Sequence, residues 1–276
     1  MPWLSRQFST RVIALIPVAI AINIVLGYTV QTVLKLPIYL DSIGTILVGV
    51  LAGPIAGAVT GAASNLIWQY APGIGGGTIG PFAVVAAVIG ILAGLWGYLG
   101  VYRSRPATGS RLWLSVVVGV AIVVLLASRI YNNPAYTDPN IGGYPDWVFT
   151  AAILITVVAS LAVAAFILVR QDTAGAWVAA AGALTGIVAA ILSAPIAAYV
   201  FGGVTGSGTD LIVAALRQGG ADVFNASLGQ GLFSDPIDKT ITSFVVFIIL
   251  ASLSDRVVAR FPLGERIVNP APAPDA

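Results

Sequence analysis

The sequence predicts an all-α polytopic membrane protein of about eight transmembrane helices, with both termini cytoplasmic. Three observations carry that prediction. Of 276 residues, 58% are hydrophobic and only 9% charged, whereas a water-soluble domain carries about a quarter charged residues. The chain therefore lacks the polar surface to cover a globule in water. Its apolar residues fall into runs approaching the roughly 20 that a helix needs to cross the hydrocarbon core. Its arginines fall on alternate loops, as the positive-inside rule requires of a serpentine chain.

Taken in order, Arg6 and Arg11 lead into a first span at 11–34, with no small-residue cleavage signal after it, so it reads as a retained helix. Spans at 40–52 and 54–70 are short and meet at "LAGPIAG", where Gly53 ends one helix and Pro54 opens the next. Further spans follow at 79–101, 112–130, 147–169, 176–200 and 236–255. All belong to one transmembrane domain, 1–268, followed by a Pro/Ala-rich tail at 269–276 that reads as disordered. Small residues recur four apart at Gly53, Gly57, Gly61 and Asn65, at Gly90 and Gly94, and at Gly182, Gly186, Ala190 and Ala194. Such stripes let helix backbones approach closely; packing within the chain is the first reading and a docking face the second.

With the N-terminus inside, Arg6, Arg11, Arg103, Arg105, Arg111, Arg170, Arg256, Arg260 and Arg266 all lie inside. Outside lie Lys35, Arg129, Arg217 and Lys239, with Asp41, Asp138, Asp146, Asp210, Asp222, Asp235 and Asp238. A net charge of +2 gives no reason to expect nucleic acid as a partner; the lipid bilayer is the expected surround. Absence of cysteine and histidine removes thiolate chemistry, the commonest general base and the commonest transition-metal ligand. With these span boundaries no ionisable residue falls mid-membrane, which disfavours a proton-driven carrier. The buried polar candidates are neutral: Asn23, Ser64, Asn65, Thr185 and Ser193. Gly203 and Gly208 have the spacing of a phosphate-binding loop, but Thr209 stands where that loop needs lysine. No paired aspartates or activated serine suggest a protease, so no enzyme, metal or cofactor is expected.

Span seven and span eight are joined by about 35 residues, beginning "FGGVTGSGTD", and long ordered loops are usually functional. Gly202, Gly203, Gly206 and Gly208 in this loop, and Gly75, Gly76 and Gly77 in "APGIGGGTIGP" (71–81), lie on the outer side. They read either as hinges of lids over a cavity or as tight interfacial turns.

Three blocks, "LPIYLDSIGTILVGVLAGPIAGAVTGAASNLIW" (36–68), "SAPIAAYVFGGVTGSGTDLIVAALRQ" (193–218) and "GLFSDPIDKTITSFVVFIIL" (231–250), resemble the substrate-binding S components of energy-coupling factor (ECF) transporters. The resemblance implies a six-helix core, here 11–101 and 176–256, with an extra helical hairpin inserted at about 112–169. It implies capture of a vitamin or similar micronutrient from outside, a transmembrane scaffold subunit and two cytosolic ATPases as partners, and a prokaryotic plasma membrane. It places ligand contacts in the outer halves of the later helices and the loops above them. Candidates on this chain are Asp41, Asn65, Trp68, Tyr199, Asp210, Gln230, Asp238 and Lys239, with Asn225 as an addition. Asp235 reads instead as a helix cap before Pro236. The scaffold-docking pattern of the first helix maps onto Ala19, Asn23 and Gly27, where only one alanine is kept. A membrane interaction or sensor subunit reusing this fold is the alternative.

Overall fold

The computed structural model describes residues 6–34, 36–73, 79–131 and 146–269. Within them the chain is all-helical: α1 (Thr10–Gly27), α2 (Ile43–Ala52), α3 (Pro54–Tyr70), α4 (Ala83–Tyr98), α5 (Gly109–Tyr131), α6 (Asp146–Arg170), α7 (Ala174–Pro195), α8 (Asp210–Gln218), α9 (Val223–Ser252), and the short α10 (Asp255–Val258) and α11 (Gly264–Val268). α1 and α7 each run on into π-helical turns, Tyr28–Val33 and Ile196–Val200. Three helical stretches are long and apolar enough to cross a bilayer: Thr10–Val33, Gly80–Tyr98 and Ala174–Val200. Large apolar side chains cover the outside as well as the core. Ile13, Val25, Leu95, Leu114, Leu161 and Ile191 are all 43–65% exposed, an outward apolar surface that soluble proteins rarely show. The fold has the character of a membrane protein.

The break between α2 and α3 falls where the sequence places it. Gly53 takes φ +116°, open to glycine, and Pro54 needs no partner for the N–H it lacks. The next amides, of Ile55 and Ala56, donate to the buried Gln7 side chain at 2.9 and 3.3 Å. α2 is buried along its whole length, so it is a core helix wrapped by its neighbours.

The small-residue stripes pack inside the chain. A Cβ on Gly90 would lie 2.2 Å from the Gly57 carbonyl carbon, and one on Gly61 would lie 2.3 Å from the Ala86 carbonyl oxygen. The stripes of α3 and α4 thus face each other. On α7, Gly182 and Gly186 lie against the α9 backbone, where a Cβ would come within 2.7 Å of the Lys239 oxygen and 2.4 Å of the Asp235 oxygen. α7 against α9 is the most extensive helix contact in the fold. α5 and α6 pack on each other and reach the core through Leu112, Val163 and Ile167, which meet Phe244 of α9. The two helices thus form a flank of the fold; residues 132–145 between them lie outside the described residues.

Arginines gather at one end. Arg105 donates to the Gly100 and Val101 carbonyls at 2.7 and 2.9 Å, and Arg266 to the Tyr98 carbonyl at 2.9 Å. Arg11 donates to Arg260 and Arg103 to Asn269, so the segments near both chain ends meet here. The opposite end holds 28–34, 36–42, 79–82 and 196–222.

One boundary differs from expectation by more than three turns. α9 starts at Val223, not at 236, and its N-cap is Asp222, which accepts the Asn225 amide at 2.9 Å. Asp235-Pro236 imitates a cap followed by a first-turn proline, but the proline is tolerated inside a helix of 30 residues. Asp235, Asp238 and Lys239 therefore sit mid-helix, 6%, 0% and 3% exposed. The expectation that these groups stand at the start of a helix is overturned.

Candidate functional site

The site is assembled from the middle of α9 outward. Asp238 and Lys239 are adjacent, so the helix points them about 100° apart. Asp238 turns to the loop before α2, where its Oδ1 accepts the Tyr39 and Leu40 amides at 3.1 and 2.7 Å. Leu40 is held at φ +52°, a conformation that costs a non-glycine residue energy unless its surroundings impose it. Lys239 turns inward and spends its three N–H donors on Asp238, on Asp41 Oδ1 at 3.3 Å and on Ser42 Oγ at 2.8 Å. Gln31, on the π-helical end of α1, donates to the other Asp41 oxygen at 3.1 Å.

Asp235 lies one turn before Lys239 on the same helix face. The Ser193 hydroxyl of α7 lies beside it but donates to the Ala190 carbonyl at 3.2 Å, and Asp235 has no ion pair among the described residues. Gln230 and Ser234 follow on this side; Gln230 donates to Ser234 Oγ at 3.1 Å and to the Tyr39 hydroxyl at 3.0 Å. The Tyr39 hydroxyl donates to Thr209 Oγ1 at 3.2 Å. Loss of solvent, with the nearby Asp235 charge, pushes the Tyr39 phenol well above its ordinary range and keeps it a neutral donor.

These groups line a cavity of about 100 Å³ between α3, α4, α7 and α9. One wall is apolar: Phe82, Val85, Ala86 and Ile89 beside α4, Ala189 and Ala197 from α7. The other is polar: Asp41, Ser42, Asp235, Lys239, Gln230 and Asn65. The Asn65 side chain is 5% exposed and makes no hydrogen bond to any described residue. Over the mouth lies the glycine loop, which contributes Thr205 and Ser207. Phe82 stacks on Phe201 with centroids 5.8 Å apart, tying this loop to the segment that follows the other glycine stretch.

Of the residues expected from sequence, the structure brings Asp41, Asn65, Gln230 and Lys239 to the cavity, with Asp238 behind them as the anchor of the Tyr39 loop. Asp210 does not reach it. Its carboxylate accepts the Thr205 and Gly206 amides at 2.9 and 2.7 Å and the Thr205 hydroxyl at 2.8 Å, clamping the glycine loop shut on itself. Within that loop Gly202, Gly203 and Gly206 take positive φ, and Gly203 and Gly208 are buried. Trp68 is buried against Gly27 and does not line the cavity. Tyr199 is 76% exposed and stacks on Phe224; Asn225 belongs to the α9 cap. Gly75, Gly76 and Gly77 lie outside the described residues.

Ala19, Asn23 and Gly27 face inward rather than out. A Cβ on Gly44 would lie 2.2 Å from the Ala19 oxygen, and Gly27 sits against Trp68 and Asp41. Asn23 donates to Thr45 at 2.8 Å and Ser64 at 3.0 Å and accepts the Gly44 amide at 2.7 Å. This stripe locks α1 to α2 and α3, and a partner would meet it only by displacing them. Gln31, Tyr39, Ser42, Thr205 and Ser207 were not foreseen. The signal for the first three was the run of polar groups flanking Asp41, just ahead of an entirely apolar helix.

No family model matches the chain, and no curated protein or solved structure is significantly similar to it.

Proposed function

We propose that this chain is the membrane-embedded, substrate-binding subunit of an ATP-driven importer of the ECF type, capturing a small organic micronutrient from the outer side. The observation that carries the reading is the convergence of three separate sequence blocks on one cavity. Block 36–68 supplies Asp41 and Asn65, block 193–218 supplies Ser193, Thr205 and Ser207, and block 231–250 supplies Asp235 and Lys239. These are the blocks that resemble S components. The cavity opens at the end opposite the arginines, which the positive-inside rule assigns to the exterior. In this reading eight helices cross the membrane, both termini are cytoplasmic, α5 and α6 form an inserted pair, and the membrane is a prokaryotic plasma membrane. Motive power comes from a scaffold subunit and two cytosolic ATPases, and the glycine loop 201–209 opens and closes as the lid. An interaction or sensor subunit would have little use for a covered polar cavity, and the Phe82–Phe201 stack argues against splayed loops.

Thermal melting of the purified protein against a library of vitamins and their precursors tests this. A ligand at a hundred times its Kd adds about 2.7 kcal/mol to the folded state. A rise in Tm confined to one chemical class, and abolished by Asn65→Leu, is expected; no rise with any compound sinks the proposal.

A further inference from the structure

Acidic groups outnumber basic ones around the cavity. Three carboxylates, Asp41, Asp235 and Asp238, converge there with one ammonium, Lys239. All three Lys239 donors are committed, two to the other carboxylates and one to Ser42. Asp235 has only the Ser193 hydroxyl beside it, and that hydroxyl donates to the Ala190 carbonyl at 3.2 Å, although a carboxylate offers about four acceptor positions. It is 6% exposed and borders the open space. A carboxylate held so far from water is costly without a compensating charge. Beside the same space the Asn65 amide also has no described partner and is 5% exposed. Nearer the mouth, the Tyr39 hydroxyl already accepts from Gln230, and the Thr205 hydroxyl donates to Asp210.

We infer that the captured solute is an organic cation, carrying an amidinium or protonated amino-heterocycle whose N–H groups seat on Asp235, with Asn65 reading the adjoining polar edge. This deepens the capture reading and rests on it. The fork of an amidinium satisfies both carboxylate oxygens at once. The apolar wall of Phe82, Val85 and Ile89 suits the flat remainder of such a molecule. The place of Asp235 mid-helix, rather than at a helix start as a cap, is what brings it to the cavity.

Three probes of nearly equal shape decide the matter: benzamidine, benzamide and benzoate, titrated into the full-length purified protein with melting and calorimetric readouts. Benzamidine should bind roughly ten- to a hundred-fold more tightly than benzamide, the range expected for a charge-assisted hydrogen bond, and benzoate should not bind. In Asp235→Asn that advantage should vanish while benzamide binding persists; Asn65→Leu should weaken benzamidine and benzamide alike. Should Asp235→Asn fail to fold, the wild-type order of the three probes alone decides. Benzamide or benzoate binding as well as benzamidine overturns the inference and leaves capture intact. So does failure of all three probes when the vitamin library yields a neutral or anionic ligand. If neither probes nor library bind, it is the capture reading that fails.

Discussion

Lys239 is the residue on which the site's electrostatics turn. It is 3% exposed and holds two carboxylates and a hydroxyl with one ammonium. Lys239→Met would leave Asp238 buried without a counter-charge, and breaking one side of a buried pair costs roughly 3–5 kcal/mol. Melting of the purified variant should show a large fall in Tm, and Asp238→Asn added to Lys239→Met should recover part of it. If Lys239→Met melts like wild type, the pairing is not what holds the Tyr39 loop. Asp41, Asp238 and Lys239 were legible as site residues because charge is scarce in so apolar a chain. Asp235 was not, since Asp-Pro carries the same local signature at a helix start as within a long helix. Trp68 and Tyr199 fit the chemistry of a planar ligand but not the geometry, because side-chain direction depends on helix rotation that spacing alone leaves open.

At the scale of elements, the close approach of α7 to α9 sets where Asp235 and Lys239 point. Gly186 faces the Asp235 and Pro236 backbone, where a Cβ would come within 2.4 Å. Gly186→Val should separate the two helices, lowering stability by about 1–3 kcal/mol as overpacking usually does and weakening ligand binding with it; unchanged melting and binding would refute this placement. The glycine loop depends on a different device. Asp210→Ala removes acceptors from the Thr205 and Gly206 amides, so amide exchange over 201–209 should speed up at least about ten-fold, as for a loop released to local opening. No change in exchange would mean that the clamp is not what orders the loop. The Gly53–Pro54 break and the small-residue stripes were readable from sequence because proline and glycine act locally. The start of α9 was not, since its first turns are only half apolar and the Asp222 cap gives a weaker signal than Asp235-Pro236.

The molecule as a whole is asymmetric from end to end. Arginines tie the loops of one end together, while the cavity, its acids and the glycine loop occupy the other. The chain contains no cysteine, so single reporters are unambiguous. Val204→Cys, in the loop over the cavity, should react with a membrane-impermeant maleimide on intact cells. Ser110→Cys at the start of α5 and Glu265→Cys in α11 should react only after permeabilisation. Labelling of Ser110→Cys from outside would contradict the reading of α5 and α6 as a paired insertion that preserves sidedness. The proposed sidedness rests on the arginine pattern; the inward turn of Ala19, Asn23 and Gly27 became visible only once α1 was packed on α2 and α3.

The central claim is that the polar hollow walled by α3, α4, α7 and α9 is the working part of this protein. Native mass spectrometry of the protein released from its own membranes, beside an Ala189→Trp variant that fills the hollow, tests it most directly. Ala189 lines that space and is 2% exposed. The account predicts a recurrent adduct of one small organic mass on the wild-type protein and none on a folded variant. A wild-type protein that carries no such mass in repeated preparations, or a variant that carries it equally, would contradict it.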